Sequence, residues 1–172
     1  NSLDMSIQGD GFFQVTMADG TEAFTRDGSF KLDGEGNIVT SEGLFLEPQI
    51  QVPEEATNIT IRGDGTVSVT LPGQVDSQEI GQIELANFVN PAGLKSEGNN
   101  LFTETVASGA PQLSAPGNDG VGEIQQGFLE TSNVDVVQSL TNMISAQRAF
   151  DFNHRTIRTS DQMLSRAATL LQ

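Results

Sequence analysis

Along the last forty residues a mostly apolar seam runs at alternating steps of four and three: Val136, Leu140, Met143, Gln147, Phe150, His154, Ile157, Asp161, Leu164, Ala168 and Leu171. One of the two heptad positions is apolar throughout, as Val136, Met143, Phe150, Ile157, Leu164 and Leu171, whereas the other becomes polar in its middle, at Gln147, His154 and Asp161. This spacing predicts a helix over residues 133–172 whose seam is made for other helices. Val137 and Ile144 widen the stripe, and Ala146, Ala149 and Ala167 allow close approach. Ser132, three residues before Asp135, resembles a capping box at the helix start.

Upstream of the helix the period changes from 3.5 to two. FFQVTM, AFTR, SFKL, NIVT, LFLE, NITIRG and TVSVTL are short alternating or β-branched runs, with IGQIELANFV as a longer strand ending at Asn90-Pro91 and EIQQGFLE as a later one. Asp-Gly pairs at residues 10–11, 19–20, 27–28, 33–34, 64–65 and 119–120 supply the positive φ of two-residue primed hairpin turns. The predicted fold class is therefore mainly β, an antiparallel sandwich or open barrel built of hairpins, plus a long C-terminal α-helix. Between 107 and 122 the run ASGAPQLSAPGNDGVG excludes a helix or a central strand. The expected organisation is a β-rich body over 1–106, a Gly/Pro-rich connector with a short strand over 107–132, and the helix over 133–172.

Length decides what the seam meets. A helix of about 39 residues measures roughly 58 Å at 1.5 Å per residue, whereas a compact body of about 132 residues is nearer 36 Å across. The helix is expected to outrun its body, leaving its stripe to be covered by another part of a longer chain or by neighbouring subunits.

Composition narrows the partners. The 172 residues carry 23 Asp+Glu against 8 Lys+Arg, a net charge of -15. The charge is divided unevenly, with 20 acidic and 4 basic groups in residues 1–132, and 3 acidic and 4 basic in residues 133–172. An acidic body argues against nucleic acid and against membrane attachment through a basic patch. No apolar run reaches the length of a bilayer span, so direct membrane insertion is not expected. The start, NSLDMSIQGD, has neither an initiator Met nor a signal-peptide pattern, and the chain is expected to begin inside a longer protein. With no Cys, disulfides, thiol nucleophiles and Cys-ligated metals are excluded.

Candidate chemistry reduces to structure. Among 23 carboxylates no pair stands out as a glycosidase acid and base. Asp33, Glu35 and Asn37 have calcium-loop spacing, but Ile38 occupies the position that requires Gly, and a hairpin turn explains the run better. The Gly-x-Gly runs lack the later Gly of a dinucleotide site. Asn58-Ile59-Thr60 fits a glycosylation acceptor and otherwise belongs to a strand. His154, the only imidazole, sits in the seam between Gln147 and Asp161, where a polar side chain sets helix register. Arg148, Arg155, Arg158 and Arg166 are helix charges that could meet the acidic bodies of neighbouring subunits. No catalytic, cofactor or metal residues are expected, and the chain is not read as an enzyme. A peptidoglycan-binding or lytic module and an adhesion domain on a helical stalk are the readings from other classes.

The sequence QGFLETSNVDVVQSLTNMISAQRAFDFNHRTIRTSDQML resembles the C-terminal signature of the bacterial flagellar axial proteins. MSIQGDGFFQV, FTRDGSFKLDGEGNIVTSEG and ELANFVNPAGLKSEGNNLFTET are similar to that family's recurring body segments. LFTETVASGAPQLSAPGNDGVGEIQQGFLETSN resembles the distal rod member more than its hook or proximal rod relatives. Phe150 and Asp151 depart from the Tyr and Glu usual in the family, and the family's N-terminal helical segment is missing. The resemblance implies a subunit exported by the flagellar type III apparatus without a cleaved signal. It implies a helical homo-oligomer, a hollow shaft crossing the periplasm inside the P and L rings, with proximal rod proteins, hook protein and the P-ring and L-ring proteins as partners.

Overall fold

The computed structural model describes residues 2–17, 19–73, 76–118, 120–130 and the helix backbone of 136–170, with helix side chains at 140–155, 157 and 158. The chain divides into two units, Asn1–Glu130 and Thr131–Gln172. The expected capping box at Ser132 and Asp135 lies outside the described residues.

The first unit is built of antiparallel strands in three sheets. Strands β1 (Met5–Gln8), β2 (Phe12–Thr16), β3 (Glu22–Thr25), β4 (Phe30–Leu32), β5 (Ile38–Thr40) and β6 (Phe45–Glu47) are followed by β7 (Asn58–Ile61), β8 (Thr66–Thr70), β9 (Gln78–Gln82) and β10 (Leu85–Asn87). A single 3-10 turn at Pro91–Gly93 precedes β11 (Lys95–Gly98), β12 (Leu101–Thr103), β13 (Gln112–Ser114) and β14 (Glu123–Gln126). The largest sheet runs β11-β12-β3-β2-β6-β5-β4 with β10 and β13 branching from it, β7-β8-β9 form a second, and β1 pairs with β14. These sheets stay open and do not close into a barrel. The Gly/Pro-rich stretch contributes β13, paired with β10, and β14, paired with β1.

Strand β2 is the hub. One edge pairs with β3; on the other, Phe12 and Phe13 pair with β10 and Gln14–Thr16 pair with β6. Because consecutive strand residues face opposite ways, Phe13 and Phe12 enter different cores. Phe13 and Val15, fully buried, join Met5, Ile7, Phe30, Ile38, Leu46, Ile61, Val67, Val69, Ile83, Leu85 and Ile124 in the main core between the sheets. Phe12 packs on the opposite face against a smaller cluster of Phe24, Ala86, Phe88, Leu94 and Phe102. Edge-on ring contacts, Phe13–Phe30 at 5.2 Å, Phe24–Phe88 at 4.9 Å and Phe12–Phe88 at 5.9 Å, fix both cores.

The hairpins differ from expectation in their turns. Met17–Thr21, Asp33–Asn37, Thr40–Leu44 and Arg62–Thr66 share one pattern. In each, the first N–H donates to the fifth carbonyl, and the fourth residue, Gly20, Gly36, Gly43 or Gly65, donates back to the first carbonyl. Among the described residues of these turns only that fourth glycine has positive φ, between 82° and 89°. These are three-residue connections with one left-handed residue, not two-residue primed turns. The aspartate of Asp-Gly acts instead as an acceptor: Asp19, Asp27 and Asp64 take the N–H two residues on, at 2.9–3.0 Å. The carboxylate of Asp33 accepts the N–H of Glu35 and both the N–H and the side-chain amide of Asn37, so the calcium-like run is a hairpin turn.

A second correction concerns IGQIELANFV, which is two strands in different sheets, β9 and β10. The chain changes sheets at Ile83, whose side chain is fully buried and whose N–H donates to the Gly65 carbonyl at 2.8 Å. Side chains then stitch the sheets together. Gln126 on β14 accepts the Ile61 N–H at 3.0 Å and donates to the carbonyls of Ile59 at 2.9 Å and Ser2 at 2.6 Å.

Two predictions follow from this packing. Gly28 lies against β1, where the Met5 N–H donates to its carbonyl at 2.9 Å, and a Cβ there would stand 1.6 Å from the Met5 carbonyl oxygen. Gly28→Ala should cost about 1–3 kcal/mol or more, whereas Gly34→Ala, with nothing within 4 Å, should stay within about 0.5 kcal/mol; chemical denaturation measures both.

The second concerns acid. Hydrogen bonds from the Asn37 amide and N–H hold the Asp33 carboxyl below the usual aspartate range, and the Thr66 N–H does the same for Asp64. A depressed folded-state value gives stability that is present above the unfolded value of about 3.9 and lost as pH falls through the folded one. Asp33→Asn should therefore be less stable than the parent at pH 7, with the gap closing below about pH 4; equal gaps at every pH in acid titrations followed by circular dichroism would contradict this.

Candidate assembly surface

Helix α1 spans Val136–Leu170, 35 residues, or about 52 Å of rod. Its interior contains no Gly or Pro, which is why so long a run stays helical. Among the described residues, the unit formed by this helix has no second element to bury its stripe. Leu140, Met143, Ile144, Phe150 and Ile157 are each half or more exposed, Phe150 at 64%.

At 100° per residue Leu140, Met143, Ile144, Gln147, Phe150, His154 and Ile157 fall on one side, and the heptad line drifts slowly around the axis. A partner helix can follow that drift only by winding left-handedly around this one. Within the line Phe150 and His154 meet edge-on, ring centroids 4.8 Å apart. This i,i+4 contact holds the imidazole along the stripe. Asp151, Arg155 and Arg158 flank His154 and border a shallow groove with it. Met143, Ala146, Gln147, Phe150 and Asp151 line a second groove one turn earlier, where alanine makes room for an incoming side chain.

Of the expected seam residues, the structure therefore brings Leu140, Met143, Gln147, Phe150, His154 and Ile157 onto one exposed line. Val136, Asp161, Leu164 and Ala168 lie within the helix, but their side chains are outside the described residues, as is the whole of Leu171. Phe152, 71% exposed, was not in the seam pattern; it stands off the stripe and carries no periodic signal that would have marked it.

Sequence reasoning also missed how the body ends. Arg26, at the end of β3, donates from Nε to Glu130 at 2.9 Å, from Nη1 to the Gly9 and Gly11 carbonyls at 3.0 Å each, and from Nη2 to the Ile7 carbonyl at 3.3 Å. Its guanidinium also lies 5.9 Å from the centre of the Phe12 ring. A planar fork with five donors can gather this many acceptors where lysine cannot. It fastens Glu130, the last residue of the body, to the turn between β1 and β2. Among the described residues no group of His, Cys, Asp or Glu is arranged to hold a metal ion, and no helix is long and apolar enough to cross a membrane.

Comparison with known proteins matches both ends of the chain. The flagellar hook protein FlgE/F/G D1 domain matches residues 6–69, and the flagellar basal body rod FlgEFG protein C-terminal domain matches residues 125–170. The flagellar basal-body rod protein FlgG of Buchnera aphidicola subsp. Acyrthosiphon pisum is 50% identical over 169 residues, covering 98% of this chain and 65% of the relative. That of Caulobacter vibrioides is 47% identical over 168 residues, covering 98% and 64%. The flagellar hook protein FlgE of Salmonella typhimurium is 42% identical over 137 residues, 80% of this chain and 32% of the relative. The chain thus spans about 65% of the length of the rod proteins it matches. Matched at its β body and again along its helix, and aligned over nearly its whole length with rod proteins, the chain belongs to the flagellar rod and hook axial family, on the FlgG branch.

Proposed function

We propose that this chain is the greater part of a structural subunit of the flagellar distal rod. In that reading it polymerises helically with copies of itself into a hollow shaft that carries torque from the proximal rod to the hook. The observation that carries the reading is the exposed stripe Leu140, Met143, Phe150 and Ile157 on a helix of about 52 Å. Each such side chain, already about half shielded, forgoes about half of the roughly 1.5–3 kcal/mol of full burial. A helical tube removes that deficit by setting every helix among others, and the drift of the seam matches left-handed winding.

The β body complements the tube mechanically. Two cores share the hub strand β2, sheets are tied by Gln126, and Arg26 fastens the last residue before the helical unit. A body so braced resists bending when torque is passed through it. The shaft would cross the periplasm within the P and L rings, its subunits exported by the flagellar type III apparatus without cleavage of a signal. The acidic body, with 20 carboxylates against 4 basic groups in residues 1–132, would stay hydrated and resist sticking to a surrounding ring. The role is structural, not enzymatic.

A proximal rod or hook subunit is the other reading within the family, supported by the 42% identity to a hook protein over 137 residues. The position of the chain in an isolated basal body, between proximal rod and hook or elsewhere, separates the two.

In the full-length subunit, Phe150→Asp and Ile157→Asp should each abolish polymerisation, because a carboxylate in a closed helical seam is buried without a partner. The β body should remain folded by circular dichroism. Normal rods from either variant, seen by electron microscopy, would contradict the reading.

A further inference from the structure

The body is strongly acidic, yet its charge is not spread evenly. Residues 85–94, LANFVNPAGL, and residues 105–118, TVASGAPQLSAPGN, contain no Asp, Glu, Lys or Arg; at the chain's mean content of 18% charged residues they would carry about four. The fold places these two segments side by side. Strand β10 pairs with β13 through Leu85–Ser114, Ala86–Leu113 and Asn87–Gln112. Beyond the strands the Asn90 N–H donates to the Ser108 carbonyl at 3.2 Å and its side-chain amide to the Ala107 carbonyl at 3.0 Å. The Thr105 hydroxyl donates to the Gly93 carbonyl at 2.6 Å.

This end of the sheet is rigid and apolar at once. Ser108 is buried and bonded to both Thr105 and Gly109, closing the 105–109 turn. Val106 in that braced turn is fully exposed, and in the same two segments Val89 is 83% exposed and Leu113 nearly half exposed. Strand β13 is an edge whose only strand partner among the described residues is β10. Edges of soluble sheets are usually guarded by charge, and this one has none.

We propose that this charge-free end of the body, centred on Val89, Val106 and Leu113, is the surface through which the body touches a second copy of this chain in the assembled shaft. The proposal rests on the polymer reading above and adds where the bodies meet. Two considerations select that occupant. Copies of a body with 20 acidic and 4 basic groups repel one another wherever they approach charge to charge, and only an uncharged face lets like meet like. A patch of three exposed apolar side chains is also far below the roughly 800 Å² per partner of a stable free complex. It suits a contact made once per subunit in a lattice already held together by helices, where each weak contact acts at high effective concentration.

The chain has no Cys, which makes the test direct. In full-length subunits Val106→Cys should react rapidly with a maleimide in the monomer and at least tenfold more slowly in polymer formed by that subunit alone. In parallel, the exposed changes Val89→Asp and Val106→Glu together should raise the concentration needed for polymerisation at least tenfold, with the effect relieved by added salt, while Val106→Thr leaves it unchanged. Equal labelling rates in monomer and polymer, or protection that requires another basal-body protein, would overturn the proposal. Failure of the parent subunit to polymerise at all would instead overturn the polymer reading, so the two failures are distinguishable.

Discussion

One requirement governs this molecule: the apolar line along α1 has to be covered. The helix satisfies its interior backbone groups by itself, but Leu140, Met143, Ile144, Phe150 and Ile157 stand half or more exposed. At about half of the roughly 1.5–3 kcal/mol of full burial apiece, their summed deficit approaches the whole stability of a small domain. A packed partner is the only way to remove it without losing the helix. The polar members of the same line, Gln147 and His154, keep that attraction from being indiscriminate. A fully apolar seam packs in many registers, whereas polar groups facing the seam favour the registers in which they meet one another or water. Strength of association and choice of register thus come from different residues on one face.

The β body answers a different demand, and its construction shows it. Hairpin connections pair neighbouring strands locally, but the features that stiffen the body are long-range. Gln126 on β14 reaches β7, β10 reaches back to β2, and Arg26 reaches Glu130 across 104 residues. Each ties a late segment to an early one. Arg26 has the most concentrated role, since its four acceptors include the Ile7 carbonyl of β1 and the Gly9 and Gly11 carbonyls of the turn that follows.

How much of this could be read from residues alone follows from which interactions are local. The helix and its seam were legible because periodicity over ten turns is a long-averaged signal, and the hairpin arms β2, β3, β7 and β8 were legible because alternation and β-branching mark half-buried strands. The turns were misread in detail. Asp-Gly does mark them, but Asp19 and Asp64 are there for their carboxylate and only the following Gly takes positive φ. The break in IGQIELANFV was hidden because Ile83 and Leu85 are both fully buried although they serve different sheets, so hydrophobicity continues where the sheet does not. Strand β11, Lys95–Gly98, is exposed throughout and held only by its neighbour β12, which leaves no hydrophobic pattern to detect. Arg26 could not be singled out, since its partners are carbonyls and a carboxylate brought near by topology.

Charge placement joins the two units into one argument. In the proposed assembly a subunit packed against copies of itself at very high local concentration would meet a conflict, because the acidity that keeps free subunits apart also opposes their assembly. Concentrating nearly all the negative charge in residues 1–132, and leaving residues 133–172 with 3 acidic and 4 basic groups, resolves that conflict by location. Helices approach one another almost neutrally while bodies repel at long range. Screening limits that repulsion to roughly 8–10 Å at physiological salt, about the spacing of packed sheets. The penalty therefore falls only on body surfaces that come into contact, and it disappears where those surfaces carry no charge. The uncharged segments 85–94 and 105–118 would then let acidic bodies meet without that penalty, as the proposed contact requires.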